Sequence, residues 1–172
     1  MGAGLIAADL VALVPRLRRY ARALTRHREA ADDLLQDTLE RAWDKRALWE
    51  AGSDLRAWLF TVMHNVFVSS VRQTRPSAFS DDDLARIESE ATSVETGAVV
   101  GELHAALLRL PEEQRAVVLL VGLEQMSYAE TAEMLEIPIG TVMSRLSRGR
   151  ERLRGLLDRD DAHSSAGLRR IK

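Results

Sequence analysis

Hydrogen-bond donors and positive charges are concentrated between Ser127 and Arg154, where the sequence reads SYAETAEMLEIPIGTVMSRLSRGRERLR. From Val142 the apolar residues recur every three or four positions, which places them on one side of a helix. At about 100° per residue, the opposite arc holds Met143, Ser144, Ser147, Arg148, Glu151 and Arg154. Arginine and serine side chains on one helical face are typical donors to the base edges and phosphates of DNA. The spacing also fits an ordinary amphipathic helix with a solvated basic face.

The same stretch predicts a helix-turn-helix. Ser127 and Glu130 match the S-x-x-E capping box that starts a helix. The inner face of that helix is expected to carry Ala129, Ala132 and Leu135. Pro138 suits the start of a second helix, where its missing N–H is not needed, so residues 136–137 are left as the turn. Two short helices joined in this way deliver the second one into a DNA groove.

Residues that usually perform catalysis are not grouped in this sequence. The four histidines, His27, His64, His104 and His163, are scattered without the spacing of zinc ligands. No phosphate-binding glycine loop or nucleophile elbow occurs. Cysteine is absent, which excludes disulfides, thiol nucleophiles and cysteine zinc sites. The sequence therefore predicts a chain that is not an enzyme, with no metal, no cofactor and no small-molecule substrate.

Composition indicates a globular protein of one or two small domains. The chain has 172 residues, of which 46% are hydrophobic and 29% charged, and its net charge is only -2. Positive charges exceed negative ones by 12 to 9 over residues 1–75, whereas residues 76–97 carry one against six. The longest apolar run, at 116–123, is too short to span a bilayer, and the N-terminus lacks the order of a signal peptide. We expect a cytoplasmic protein without membrane insertion.

Helical periodicity dominates the chain, and no sustained strand alternation occurs. Asp54 is positioned to cap one helix, and the aromatic residues that follow, Trp58 and Phe60, are expected in the core. Residues 76–97 are acidic and rich in serine and threonine, which is typical of a flexible linker. Helices are predicted at 10–24, 30–45 and 55–72, then in a block over 98–157, followed by a frayed polar tail. The fold class is therefore all-α, with two small helical domains joined by a flexible acidic linker.

Four segments together resemble a known family. They are ADDLLQDTLERAW, DLRAWLFTVMHNVFVSSVR, LPEEQRAVVLLVGLEQMSYAETAEML and IPIGTVMSRLSRGRERLR. In this order they resemble the extracytoplasmic-function (ECF) group of bacterial sigma factors over almost the whole chain. The resemblance implies a promoter-specificity subunit that binds core RNA polymerase and promoter DNA. It implies a second-region domain at 1–75, an acidic linker at 76–97, a fourth-region domain at 98–158 and a polar tail at 159–172.

The second predicted helix carries an acidic stripe opposite its apolar side. The stripe consists of Asp33, Gln36, Asp37, Glu40 and Asp44. Such a face is either solvated or complementary to a basic partner. In the family that this chain resembles, the equivalent stripe grips the coiled coil of the large clamp subunit of polymerase. The resemblance therefore implies that the stripe binds core polymerase.

The resemblance places recognition of the minus-ten element in the loop at 46–53 and the helix after it. There the loop would cradle a flipped base, Asn65 would read its edge, and arginines would hold the backbone. His64 stands where the family often has a basic residue, and Ser69 where it often has aspartate. The implied site consists of Trp49, His64, Asn65, Arg72 and Arg75.

The fourth-region domain would read the minus-thirty-five element. Its implied contacts are Thr141, Met143, Ser144, Arg145, Ser147, Arg148 and Arg150. Met143 replaces a frequent basic residue, so that an apolar contact, such as one with a thymine methyl group, replaces a cationic one. Arg148 then becomes the leading base reader. Glu136 occupies a turn position where glycine is frequent, and a positive φ there costs about 1 kcal/mol.

The sequence allows more than one interpretation of the linker and of the protein's function. The acidic linker would thread toward the polymerase active centre in the family, or act as a solubilising spacer. The resemblance also implies an anti-sigma factor that occludes the polymerase and DNA faces. A sigma-like mimic that binds an anti-sigma factor without initiating transcription is the main alternative. A plain helix-turn-helix repressor would leave the first 75 residues unexplained.

Overall fold

All regular structure is helical in the parts of the chain that the computed structural model describes, which are residues 2–49, 52–73 and 98–168. The helices are α1 (Gly2–Leu24), α2 (Arg28–Asp44), α3 (Leu55–Gln73), α4 (Ala98–Leu108), α5 (Glu112–Gly122), α6 (Tyr128–Leu135) and α7 (Ile139–Leu168). A short 3₁₀ helix, Arg46–Leu48, follows α2. The predicted all-α class is confirmed. The linker expected at 76–97 lies outside the described residues.

Helices α1, α2 and α3 pack together as the N-terminal half. Tyr20 of α1 and Phe60 of α3 are fully buried, and their rings meet edge to face with centroids 5.1 Å apart. Trp58 is only partly buried but packs against the same core. The expected cap of α3 is present, because Asp54 Oδ1 accepts the backbone N–H of Arg56 at 2.9 Å. This cap fixes where the helix bearing Asn65 begins.

Helix α6 begins as the capping-box prediction requires. Ser127 Oγ accepts the Glu130 N–H at 3.2 Å, and the Glu130 carboxylate accepts the Ser127 N–H at 2.7 Å. Hydrogen bonds from Ser127 lower the pKa of the Glu130 carboxyl, with a smaller contribution from the positive charge of Arg56. At the other end Glu136 is left-handed, with φ 53° and ψ 42°. The turn between α6 and α7 is therefore where the sequence predicts it.

The inner face predicted for α6 is partly wrong. Ala129 is exposed, and the buried residues are Thr131 and Met134. Thr131 is accommodated because its hydroxyl donates to the Ser127 carbonyl at 2.9 Å, which leaves its methyl group free to pack. An internal hydrogen bond of this kind makes a polar residue suitable for a core position.

Helix α7 packs on α5 and α6 through the predicted apolar seam. Val142 and Leu146 are buried with Val117 of α5. Gly149 continues the seam at a close approach, where an added Cβ would lie 2.7 Å from Val118 Cγ2. The helix also extends further than predicted, to Leu168. Residues 158–166 contain neither proline nor glycine, so nothing in their sequence stops it.

The two halves share one continuous core. Leu119 and Leu120 of α5 and Met126 of the following loop belong to the same cluster of buried side chains as Leu17 and Phe60. His104 Nε2 of α4 also lies 3.2 Å from the carbonyl of Thr25, just after α1. The halves that the sequence predicts as separate domains are therefore packed against one another.

Candidate nucleic-acid and polymerase interfaces

The acidic stripe lies on the outer face of α2. Every member is exposed, while the opposite face buries Ala31, Leu34, Leu35, Thr38 and Ala42. Gln36 Nε2 donates to Glu40 Oε1 at 2.9 Å, so two members of the stripe are held together. Beside them, α1 and α2 enclose a groove of about 490 Å³ whose lining includes Arg18 and Arg22. An exposed acidic ridge beside a partly basic groove is a surface suited to a charged protein partner.

The residues predicted for the minus-ten element occupy different environments. Asn65 and Arg72 are exposed on α3, with their polar groups available to a ligand. His64 is half-buried, and its Nδ1 is buried without a hydrogen-bond partner. Arg75 lies outside the described residues. Of the predicted residues on α3, Asn65 and Arg72 therefore face solvent, while His64 turns inward.

The first part of the segment before α3 is helical, although the sequence predicts a loop there. Its residues 46–48 form the 3₁₀ helix, and the Arg46 guanidinium lies 4.7 Å from the centre of the Trp43 ring. Trp49 packs against the core, with its Nε1 buried and unpartnered. Residues 50–51 are outside the described part. Trp49 thus anchors the loop on the N-terminal half.

The predicted minus-thirty-five residues all lie on α7, in two groups. The exposed group consists of Met143, Ser147, Arg148 and Arg150; the half-buried group consists of Thr141, Ser144 and Arg145. Ser144 Oγ donates to the Thr141 carbonyl at 3.1 Å, and Arg145 is paired with Glu113 of α5 at 2.7 Å. Ile139, at the start of α7, is also exposed, by 50%. The freely presented surface therefore combines two apolar side chains with Ser147 and two arginines.

Helix α6 packs against both helices that carry the predicted DNA-reading residues, α3 and α7. Burial lowers the pKa of the His64 imidazole, and the positive charge of Arg145 lowers it further. His64 belongs to the predicted minus-ten site on α3, whereas Arg145 belongs to the predicted minus-thirty-five site on α7. Helix α3 also contacts α6, the first helix of the helix-turn-helix. Helix α6 thus connects the helices that carry the two predicted DNA-reading surfaces.

Sequence reasoning missed the charged residues that join the halves. Glu124, in the loop after α5, is fully buried and paired with Arg16 and Arg19 of α1. The partners are separated by more than a hundred positions, so no local spacing connects them. The one available signal is a carboxylate set between the apolar residues Leu123 and Met126.

Two family models match this chain. The model described as the Sigma2 domain of PhyR matches residues 10–64, and that described as Sigma-70, region 4 matches residues 101–153. The chain is 37% identical over 155 residues to the ECF RNA polymerase sigma factor EcfG of Rhodopseudomonas palustris, covering 90% of this chain and 86% of that protein. The chain belongs to the ECF RNA polymerase sigma factors. A second member, SigM of Mycobacterium tuberculosis, is 35% identical over 143 residues, covering 83% of this chain and 71% of SigM.

Solved structures of related proteins have the same fold. The sigma factor RpoE of Bartonella quintana, solved with the anti-sigma factor NepR, has a TM-score of 0.73 and 33% identity, covering 88% of this chain and 96% of RpoE. CnrH, solved with the cytosolic domain of CnrY, has a TM-score of 0.68 and 26% identity, covering 90% of this chain and 88% of CnrH.

Two further features of the described residues bear on the site. None of their helices combines the length and the apolar character needed to cross a membrane. Within the same residues, no group of three or more histidine or carboxylate side chains is placed to hold a metal ion.

Proposed function

We propose that this ECF sigma factor binds core RNA polymerase and directs promoter-specific transcription initiation in the cytoplasm. The observation that carries the proposal is the exposed face of α7, where Met143, Ser147, Arg148 and Arg150 stand on a capped helix-turn-helix. A protein whose function did not involve DNA would not need this exposed face of α7. The high coverage of EcfG supports the same conclusion for both halves.

Each half has a separate task in this proposal. Residues 1–75 bind polymerase through the acidic stripe and engage the minus-ten element, and residues 98–158 engage the minus-thirty-five element, with the linker between them. A protein without a motor separates DNA strands only by binding the separated state better than the duplex. Asn65 suits this role because its exposed amide both donates and accepts hydrogen bonds to an unstacked base.

The arginines of α7 contact different parts of the DNA in this proposal. Arg148 lies on the outward arc together with Met143 and Ser147, where a guanidinium reaches guanine edges in the major groove. Arg150 lies toward the flank and contacts phosphate. Arg145 forms an ion pair with Glu113 at 2.7 Å. It must release that carboxylate and bind a phosphate instead before it contributes to DNA affinity.

An anti-sigma factor is the further partner that we propose. The related sigma factor RpoE was solved with the anti-sigma factor NepR, and the similar protein CnrH was solved with the cytosolic domain of CnrY. The exposed stripe on α2 and the cleft between α1 and α2 are available for such a partner. It would compete with polymerase for the same charged surface.

A sigma-like mimic is the second candidate. It is favoured by His64, Ser69 and Met143, which stand where the family often has other residue types. A mimic would bind an anti-sigma factor and leave polymerase unaffected. The exposed reading face of α7 argues against it, because nothing would maintain that face in a protein that never meets DNA.

The decisive experiment is a reconstitution with purified components. The protein is mixed with core polymerase and fragmented genomic DNA of the source bacterium, and the run-off transcripts are sequenced. We expect discrete start sites that share an upstream motif and that disappear when core polymerase is used alone. A protein that forms no complex with polymerase and produces no start sites would overturn the proposal in favour of the mimic.

A further inference from the structure

Two large apolar side chains are exposed at the start of α7. Ile139 is 50% exposed and Met143 is 53% exposed. They are four residues apart, so they lie on the same side of the helix, about 6 Å from each other along its axis at about 1.5 Å per residue. Helix α7 is held against α5 by other residues, Val142 and Leu146, which are buried. Ile139 and Met143 therefore form an apolar patch that the fold leaves in contact with water.

Charge is unevenly distributed along α7. Residues 139–144 contain no charged side chain, whereas residues 145–154 contain five arginines and one glutamate. Ionic attraction to the phosphate backbone of DNA is therefore supplied by the later turns of the helix. The uncharged first turns can contribute hydrogen bonds and apolar contacts, which are the interactions that distinguish one base from another.

The hydroxyl groups of the first turns are less available than the apolar patch. Thr141 and Ser144 are half-buried, and Ser144 Oγ donates its proton to the Thr141 carbonyl at 3.1 Å. Gly140 is exposed, and a Cβ added there would meet nothing within 4 Å. No side chain at this position holds the start of α7 away from a partner. The surface that the first turns offer to a partner is therefore mainly apolar.

The place of the apolar patch in the fold indicates what it contacts. In a helix-turn-helix the N-terminal residues of the second helix contact base edges in the major groove. Helix α7 is this second helix, and it follows the capped helix α6. Among the base edges in the major groove, thymine offers a methyl group at C5, whereas cytosine offers an amino group whose donor an apolar side chain leaves unsatisfied. Ile139 and Met143 consequently match thymine.

We propose that Ile139 and Met143 form a subsite that reads thymine methyl groups, separate from the subsite in which Arg148 reads guanine. The inference rests on the proposed function and adds the chemistry by which the first turns of α7 select bases. Arg148 lies five residues beyond Met143, which is about 7.5 Å along the helix axis. At about 3.4 Å per base pair, the thymine lies about two base pairs from the guanine.

The test removes the methyl group of thymine and leaves the rest of the base unchanged. Holoenzyme assembled from the full chain and core polymerase first selects its preferred minus-thirty-five sequence from a library of randomised duplexes. Each thymine of the selected element is then replaced, one at a time, by deoxyuridine, which has the same hydrogen-bonding groups without the C5 methyl. We expect the affinity to fall about fourfold at one or two of the thymines, because one buried methyl group is lost at each.

A complementary substitution adds the methyl group to a different base. Cytosine placed at a sensitive thymine position should bind more weakly than thymine. Cytosine methylated at C5 carries the methyl group in the same place and should regain about fourfold in affinity over unmodified cytosine. Equal binding of the two cytosines would contradict recognition of the methyl group.

Substitutions in the apolar patch assign the effect to its two residues. Met143→Gln keeps the length and the helix propensity of the side chain but replaces the thioether with an amide. Met143→Gln and Ile139→Ala should each reduce the ratio of affinities for thymine and deoxyuridine to about one at a sensitive position. The apolar replacements Met143→Leu and Ile139→Val should keep most of this ratio.

Two control variants separate methyl recognition from general effects. Val100→Ala removes an apolar side chain of similar exposure, 49%, from α4 and should change neither the affinity nor the ratio. Arg148→Ala should weaken binding to the thymine and deoxyuridine duplexes by the same factor, because the guanidinium does not contact the methyl group. Circular dichroism checks that each variant keeps the wild-type helix content.

Three results would overturn the subsite while the selected element still supports the proposed function. The first is unchanged affinity on every deoxyuridine duplex. The second is a thymine preference that persists in the double variant Ile139→Ala/Met143→Gln, which would show that the methyl group acts through the stiffness of the duplex. The third is loss of holoenzyme assembly in that variant with its thymine preference unaltered, which would assign the patch to a protein partner. If the wild type forms no holoenzyme and selects no element, the proposed function fails and the subsite fails with it.

Discussion

Arg148 and Arg150 are both exposed on α7, and two steps of about 100° place their side chains about 160° apart around the helix. Arg148 belongs to the arc opposite the buried seam, where the predicted DNA contact lies, and Arg150 lies toward the flank of that arc. A guanidinium that binds a base edge contributes to sequence preference, whereas one that binds phosphate contributes equally on every sequence. In the proposed function, the sequence preference of the protein therefore depends on Arg148, while Arg150 adds affinity on every sequence.

We predict that Arg148→Ala weakens promoter binding by about 1–3 kcal/mol and alters the preferred minus-thirty-five sequence. Arg150→Ala should weaken binding on all sequences alike and reduce the dependence on salt. Holoenzymes carrying each variant are used to select duplexes from a randomised library, and the selected fragments are titrated at two salt concentrations. Equal losses on every sequence for Arg148→Ala would show that it is not a base reader.

His64 gives the chain a predictable response to acid. Its native pKa is below the usual histidine value, first because of burial and second because of Arg145. His64 is therefore protonated more readily in the unfolded chain than in the native protein. The free energy of unfolding falls as the pH drops through about 6.5, the ordinary pKa of histidine. We expect urea unfolding midpoints to fall between pH 8 and pH 5.5, and to fall less in His64→Gln. An identical fall in the two proteins would contradict this role for His64.

At the scale of the elements, the helix-turn-helix was largely predictable because its signals are local. The Ser127 capping box, the left-handed Glu136 and the seam at Val142 and Leu146 are encoded within a few residues of each other. The burial of Thr131 was not predictable, because it depends on a hydrogen bond that satisfies the hydroxyl internally. His64, which the family resemblance assigns to the minus-ten site, lies on a helix as predicted, but its partial burial depends on packing that the local sequence does not encode.

Gly149 provides a test of how α7 is held against α5. An alanine Cβ at this position would lie 2.7 Å from Val118 Cγ2 and 3.5 Å from the Gln114 carbonyl oxygen. We predict that Gly149→Ala destabilises the protein by about 1–3 kcal/mol, because overpacking outweighs the gain in helix propensity. Denaturant unfolding followed by circular dichroism measures the change.

Gly155 is the matched control on the same helix. An alanine Cβ there meets nothing within 4 Å, so Gly155→Ala should stabilise the protein by up to about 1 kcal/mol. If Gly149→Ala stabilises as much as Gly155→Ala, the close approach between α7 and α5 is not present in solution.

For the whole molecule, the least predictable feature is the contact between the halves. The sequence predicts two domains on a flexible linker, and nothing in its local patterns pairs Glu124 with Arg16, because their spacing carries no periodicity. The shared core is hard to predict for the same reason. The local pattern around Leu120 and around Phe60 places each residue on the inner side of its own helix, but it does not show that the two residues belong to one core. Long-range packing of this kind follows from the shape and charge of finished elements, which short sequence windows do not contain.

The shared core predicts that the halves unfold together. All three tryptophans, Trp43, Trp49 and Trp58, are in the N-terminal half, so their fluorescence reports on that half alone. Leu120 of α5 is fully buried, and Leu120→Ala should cost about 2–5 kcal/mol. Because the core is continuous, we expect this change in the C-terminal half to lower the unfolding midpoint measured by tryptophan fluorescence and the one measured by circular dichroism by the same amount.

Leu103→Ala, at a position that is 39% exposed on α4, is the control and should change neither midpoint appreciably. A tryptophan transition that stays at its wild-type midpoint in Leu120→Ala would mean that the two halves are energetically independent and that the shared core does not couple their unfolding.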